Sequence, residues 1–413
     1  MSDMTACMEF FTSAPSWGEV SQQVTSATGS RLHFADGSEA LCAISGLWNA
    51  SLGYGNTTIA KAIYEACLTL STASLFRRGN TLATQAAEAL LEFANPDEYA
   101  SVLFCTSGGS AVDTAIRLAK QCHTLESSTS QIVLSFLGSY HGTVGDSIDA
   151  TGQDMLQSLY TSCSRNHMKI DYRNMDGVRE ALERVGSRLT AVIIEPVLGS
   201  GAYTVPRDVI NLLCEARDQY GFFLIADEVA TGFYRTGPRF ATLEWPSTPD
   251  LLVLSKALTN GVCATSAVLL GKRVARLLTD TGTVFLHGET QAGSPPACAA
   301  ILATLQEYER LDVETKAAHL ATKMDAFLTS LAESSPRLTT TGRGCLRGVE
   351  LRDSSGCLEE AGIGMGLVRQ AKQLGVIIQP APHGFQLVPN FLTTDDEWAT
   401  ICDVVTAVVQ PWR

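Results

Sequence analysis

Phe222-Phe-Leu-Ile-Ala-Asp227-Glu228-Val229 and, later, Pro249-Asp250-Leu-Leu-Val-Leu-Ser255-Lys256 are two apolar runs that each end abruptly on charge. A short, uninterrupted apolar run reads as a strand buried on both faces of a parallel sheet. Its C-terminal tip is then the place where a functional side chain emerges. One tip delivers a carboxylate, the other an amine. Similar short runs recur at 101–105, 131–136, 190–197, 221–229, 250–255 and 265–271, with helical patterns between them. That alternation predicts an α/β fold: a mostly parallel sheet sandwiched by helices.

The ends of the chain read differently. Asp36-Gly37 sits between alternating residues and predicts a hairpin turn. Helices are expected at 57–70, 296–311, 313–330, 362–374 and 395–409, with short strands near Gly348 and Val376. We expect a large domain over 46–305. The segments 1–45 and 306–413 would together form a smaller α+β domain.

The 413 residues carry a net charge of −13, which argues against nucleic acid and anionic membrane surfaces as partners. No apolar run reaches the length of a membrane span, and the first residues lack a secretory pattern. The 12 cysteines are scattered with no CxxC pair, as expected of reduced thiols in a cytoplasmic protein. None of the 7 histidines has metal-ligand spacing, so no metal is expected.

A lysine partly withdrawn from water becomes a nucleophilic amine. A carboxylate buried beside it needs a partner such as a protonated ring nitrogen. Pyridoxal phosphate uses both: a lysine at its aldehyde and an acid at its pyridine nitrogen. Taken singly, Lys256 also reads as a surface lysine, and Asp227 as a helix cap or an ion pair with Arg235. Phe104-Cys-Thr-Ser107-Gly108-Gly109-Ser110-Ala reads as a strand, a glycine-rich turn and a helix over 111–122, whose free amides suit a phosphate. Ser139-Tyr140-His141-Gly142 follows another strand and offers an aromatic ring to a planar cofactor. Gly342-Arg-Gly344-Cys-Leu-Arg-Gly348 has the wrong spacing for a dinucleotide fingerprint.

Placed in order, these motifs resemble the class III aminotransferases, pyridoxal phosphate enzymes of fold type I. The matching text includes Gly46-Leu-Trp48-Asn, Ser107-Gly108, Ser139-Tyr-His-Gly142, Ile194-Glu195-Pro196, Ala226-Asp-Glu-Val229, Gly232-Phe-Tyr-Arg235-Thr-Gly237, Ser255-Lys256 and His287-Gly288-Glu-Thr290. The resemblance implies that Lys256 forms the Schiff base and moves the proton at the substrate carbon. It implies that Asp227 binds the ring nitrogen with Glu195 and His141 nearby, and that Tyr140 and Val229 flank the ring. Ser107, Gly108 and Gly109 would hold the phosphate, with Thr290 reaching in from the second subunit of a homodimer. Trp48, Tyr140, Arg77 and Arg78 are the substrate candidates.

Three departures bear on the substrate. The family's phosphate turn commonly reads Ser-Gly-Ser/Thr-Glu-Ala, and here Gly109 and Ser110 stand at its third and fourth places. Ala230 stands where ornithine- and aminobutyrate-type members often carry glutamine. Gln386 and Gln379 fall where arginines of other members grip a carboxylate. The expected activity is therefore amino transfer between an amine or amino acid donor and a ketone or aldehyde, with at least one partner lacking a conventionally held α-carboxylate. The Gly46, Ser107 and His287 motifs also look like aminotransferases that tailor ribosomally made peptides of the daptide type, where a peptidyl C-terminal ketone is the acceptor. Alternatives within the fold are an amine–pyruvate transaminase of general metabolism, a decarboxylase or an aminomutase. A cofactor-binding protein without turnover is the alternative outside it.

Overall fold

Seven strands form the central sheet, in the spatial order Tyr99–Cys105, Ser266–Gly271, Leu251–Leu254, Phe223–Asp227, Leu189–Ile194, Ile132–Phe136 and His167–Ile170. Ser266–Gly271 runs antiparallel to both of its neighbours, and the remaining pairings are parallel. The computed structural model describes residues 7–126, 130–153 and 166–413. The first six residues and Cys163 lie outside that range, and so does the expectation for the extreme N-terminus.

The apolar run at 222–226 is buried throughout because both faces of its strand are covered. Phe223 and Ile225 pack with Ala111, Ile116 and Val253 on one side. Phe222 and Leu224 pack with Val209 and Leu213 on the other. Each such side chain, fully withdrawn from water, contributes about 1.5–3 kcal/mol as an upper estimate. The strand therefore ends where the charge begins, and Asp227 is placed at the sheet's carboxyl edge.

The strand expected over 190–197 stops at Ile194. Pro196 offers no N–H to continue the ladder. Val197–Leu198 pairs instead with Tyr203–Thr204 as a separate hairpin. The edge strand His167–Ile170 carries no clear sequence signal, because it is half-buried and has no clean alternation.

The chain ends build two further four-stranded sheets. Val24–Thr28, Arg31–Phe34 and Glu39–Cys42 are joined by Val376–Ile377, which pairs in parallel with Glu39–Cys42. The N-terminal hairpin thus packs with the C-terminal region, and its turn uses Gly37 at φ +83 as expected. The second sheet is antiparallel and runs Leu338–Arg343, Leu346–Leu351, Gly384–Leu387, Gln379–Ala381. Among the described residues, no helix is long and apolar enough to cross a membrane.

Arg235 ties the central sheet to these terminal strands. It lies on the strap that follows Asp227, is 2% exposed, and does not pair with Asp227. Its Nη1 donates to the carbonyls of Pro389 at 2.6 Å and Cys345 at 3.4 Å, and its guanidinium lies 4.4 Å from the Phe391 ring centre. The hairpin turn at Gly344 packs so closely that a Cβ there would lie 2.8 Å from the Arg235 carbonyl. The glycines of that segment therefore serve packing and bind no dinucleotide. Truncation of Arg235 to alanine would open a cavity and strand the carbonyls it serves. We expect Arg235→Ala to lower the unfolding free energy by about 3 kcal/mol, measured by denaturant titration. Stability unchanged from the parent would refute the strut.

Candidate active site

Asp227 is 3% exposed at the tip of its strand. Its Oδ1 accepts the Val229 N–H at 3.1 Å, and its Oδ2 lies 2.7 Å from Nδ1 of His141. His141 is buried after the Ile132–Phe136 strand. Burial alone lowers its pKa, but the hydrogen bond and charge of Asp227 outweigh that and raise it. The pair thus supports a carboxylate in an apolar setting. His141 Nε2 is buried with no hydrogen-bond partner among the described residues.

Glu195 follows the adjacent strand, Leu189–Ile194. It accepts the Tyr140 N–H at 2.9 Å and the Gly199 N–H at 2.9 Å. Burial pushes its carboxyl up to about 7, against the pull of His141. Glu195 and Asp227 are the two carboxylates whose charges act on Lys256.

Lys256 stands two residues beyond the Leu251–Leu254 strand and opens a short turn, Lys256–Thr259. Its φ of +49 is unusual for a residue with a Cβ, and such conformations gather at functional sites. The Nζ lies 4.2 Å from the centre of the Trp48 ring. Trp48 is itself at φ +69, on a segment where Ser45 and Leu47 are also at positive φ. Its Nε1 is buried without a partner among the described residues. Burial lowers the Lys256 amine from the ordinary 10.5 to about 8, although the two carboxylates pull it the other way.

A lowered lysine pKa means a neutral, nucleophilic amine above that pH and an inert ammonium below it. We therefore expect the rate at which cofactor-free protein captures pyridoxal phosphate to rise through a midpoint near pH 8. The absorbance of the cofactor–protein adduct follows it, and a midpoint near the ordinary lysine value would contradict the site's electrostatics.

The helix expected over 111–122 is Gly108–Leu125, capped by Ser107. Ser107 Oγ accepts the Ser110 N–H at 3.2 Å, and Ser110 Oγ accepts the Ser107 N–H at 3.3 Å. This reciprocal box starts the helix early. Gly108 and Gly109 then fall in the first turn, where amides have no intrahelical acceptor. Their lack of side chains lets neighbours close in. A Cβ on Gly108 would lie 3.1 Å from Val229, and one on Gly109 would lie 3.4 Å from Gly142. The turn, the Asp227 strand and the Tyr140–His141 loop therefore converge.

Of the residues singled out from sequence, Ser107, Gly108, Gly109, Tyr140, His141, Glu195, Asp227, Val229, Lys256 and Trp48 come together. Tyr140 is 38% exposed. Arg77 and Arg78 stay on the exposed surface of a loop, and no described hydrogen bond or ion pair joins them to the site. Thr290 is also exposed. Three further contributors carry no sequence signal for the roles they take. Gly199 packs beneath Trp48, Ser266 Oγ donates to the Ser107 carbonyl at 2.7 Å, and Glu289 accepts the Thr106 N–H at 2.8 Å just ahead of Ser107. No spacing rule announces such long-range partners.

One group of possible metal ligands exists among the described residues: Asp146, Asp149 and His167, with ligand atoms within 4.8 Å of one another. Local spacing could not show it, since Asp146 and Asp149 lie on a short helix and His167 arrives from a strand. Lys120 Nζ already lies 2.7 Å from Asp146 Oδ2, so the chain supplies a cation there itself.

A buried acid that can face a ring nitrogen, an amine across from an indole and a glycine-headed helix suit pyridoxal phosphate. At the carboxyl edge of this sheet they define the fold-type I transferases that use it. The family model of class-III aminotransferases matches residues 12–409, and the chain belongs to that family. An omega-aminotransferase of Caulobacter vibrioides is 30% identical over 359 residues, covering 81% of this chain and 82% of its own. Ornithine aminotransferase 1 of Staphylococcus saprophyticus is 28% identical over 373 residues, covering 89% of each chain. Among solved structures, a PLP-bound amine transaminase from an uncultivated Pseudomonas species superimposes with TM-score 0.92 at 25% identity over 99% of both chains. An (S)-enantioselective omega-transaminase from Thermomicrobium roseum gives 0.89 at 25% identity, over 94% of this chain and 92% of its own.

Proposed function

We propose that this aminotransferase moves an amino group between an amine donor and a ketone or aldehyde, at least one of which has no α-carboxylate to be gripped. The observation that carries this reading is the wall opposite Lys256. Contacts run from Lys256 to Trp48, from Trp48 to Gly199, and from Gly199 to Gln386, whose Nε2 donates to the Gly199 carbonyl at 2.7 Å. Thr341, Gly348, Gln386 and Gln379 form one cross-strand row on that sheet. The row holds no cation. On the same face, Glu350 accepts a hydrogen bond from Tyr203 at 2.6 Å. A substrate carboxylate placed here would meet neutral amides and an acid, where recognition needs a guanidinium fork.

Bound pyridoxal phosphate supplies an electron sink for the carbon that exchanges its amine. Lys256 would hold the cofactor through its amine and would take and return the proton at that carbon. Asp227 would hold the protonated ring nitrogen, with His141 orienting Asp227. Tyr140 and Val229 would confine the ring, the amides of Gly108 and Gly109 would hold the phosphate, and Trp48 would shape the substrate pocket and exclude water. Thr290, exposed in one chain, faces outward as a residue serving a second subunit would. Val284 and Leu286 are 69% and 89% exposed near it, which supports a homodimer with shared sites. The unpaired state of every described cysteine supports a cytoplasmic setting.

The test is the absorption of the holoenzyme as amines are added one at a time. Bleaching by amines without a carboxylate, faster than by α-amino acids, is the expected result. Equal or better bleaching by α-amino acids such as alanine, together with amino transfer to α-keto acids only, would overturn the reading. Small ketones and a peptidyl C-terminal ketone both meet the proposed requirement, and offering each as acceptor to the aminated enzyme decides between them.

A further inference from the structure

We propose that Glu289 is a positioning residue for the phosphate-binding turn, supplying from far along the chain the carboxylate that the turn itself lacks. Its Oε2 accepts the Thr106 N–H at 2.8 Å and the Ser110 hydroxyl at 3.0 Å. Its Oε1 accepts the Thr106 hydroxyl at 2.6 Å. All three donors belong to the segment that leads from the Tyr99–Cys105 strand into the helix headed by Gly108 and Gly109.

The chemistry of the turn explains why an acid is wanted there. An acid at the third helical position can reach back and cap the start of such a helix. Here Ser110 takes that position and closes the capping box with its shorter hydroxyl. Ser110 Oγ accepts the Ser107 N–H, and the Thr106 N–H takes Glu289 as its acceptor. Both oxygens of Glu289 accept, and none of its three partners is left to water.

The side chain also anchors its own segment. His287 Nε2 lies 3.0 Å from Thr114 Oγ1 on the same helix, so 287–289 is tied along the helix's first turns. A negative group close to a phosphate would by itself weaken cofactor binding. The sign of the net effect is therefore informative: positioning predicts a loss on removing the charge, and bare repulsion predicts a gain.

The experiment measures pyridoxal phosphate binding to cofactor-free protein by fluorescence, with the 31P shift of the bound phosphate as a second readout. Glu289→Gln keeps the size but turns one acceptor into a donor facing the turn's own donors. It should weaken cofactor binding about tenfold, the scale of one charge-assisted hydrogen bond, and move the 31P signal. Placing the acid back in the turn, as Ser110→Glu in the Glu289→Gln background, should recover most of that loss. Unchanged or tighter binding in Glu289→Gln, or no recovery in the double variant, would overturn the proposal. Should Glu289→Gln fail to fold, Glu289→Asp, which keeps the charge on a shorter arm, should still bind more weakly than the parent. The substrate reading above is probed by amines, so either conclusion can fail without the other.

Discussion

Lys256→Ala is expected to cost roughly 10⁴-fold or more in amino transfer, because the proposed mechanism gives one side chain the roles of nucleophile and proton carrier. The geometry makes the loss hard to compensate. No other lysine is described against Trp48, Asp227 or Glu195. Lys256→Arg should be as inactive as the alanine variant, since a guanidinium stays charged where a neutral amine is needed. Cofactor would remain bound through the turn and Asp227 but should dialyse away, where the parent retains it. A small primary amine added to Lys256→Ala should restore part of the proton transfer. Initial rates with the amine that bleaches the parent fastest provide the measurement. Residual activity above about one per cent of the parent's, far more than a lost nucleophile and proton carrier allows, would remove Lys256 from the centre of the reaction.

Asp227→Asn comes next in size, with an expected loss of about 10²–10³-fold, comparable to removing one preorganised electrostatic group. The amide keeps the volume and the Val229 N–H contact but cannot hold a positive ring nitrogen. His141 would then lose the carboxylate that raises it, and its buried imidazole would favour the neutral form. The variant should therefore bind cofactor with an altered absorption maximum and show a rate profile that no longer follows the parent's pH dependence. A variant with near-parental kcat would mean that Asp227 is a structural acid only. Thermal melting separates this from misfolding, because Asn at a strand tip is sterically neutral.

Much of this molecule is legible in its residues alone. The apolar runs ending at Asp227 and before Lys256 are strands because their side chains suit two buried faces, and their ends are fixed by where charge begins. Gly37, Ser107 and Pro196 act locally, through left-handed backbone, helix capping and a missing N–H. Expectation and fold part company where local rules compete. The helix behind the phosphate turn begins earlier than its periodicity suggests, because the Ser107–Ser110 box overrides two glycines. The strand at His167–Ile170 exists only because a sheet edge is there to receive it.

The sequence by itself therefore determined the class of fold, the cofactor chemistry and the pairing of an acid with a lysine, since each follows from residue type and local spacing. Only the tertiary structure decided which loops meet. It set Trp48 over Lys256, closed Gln386 onto Gly199, buried Arg235 against the Pro389 carbonyl and brought Glu289 to Thr106. Those contacts join residues far apart in the chain, and their partners are selected by the packing of whole elements, which no short-range pattern encodes.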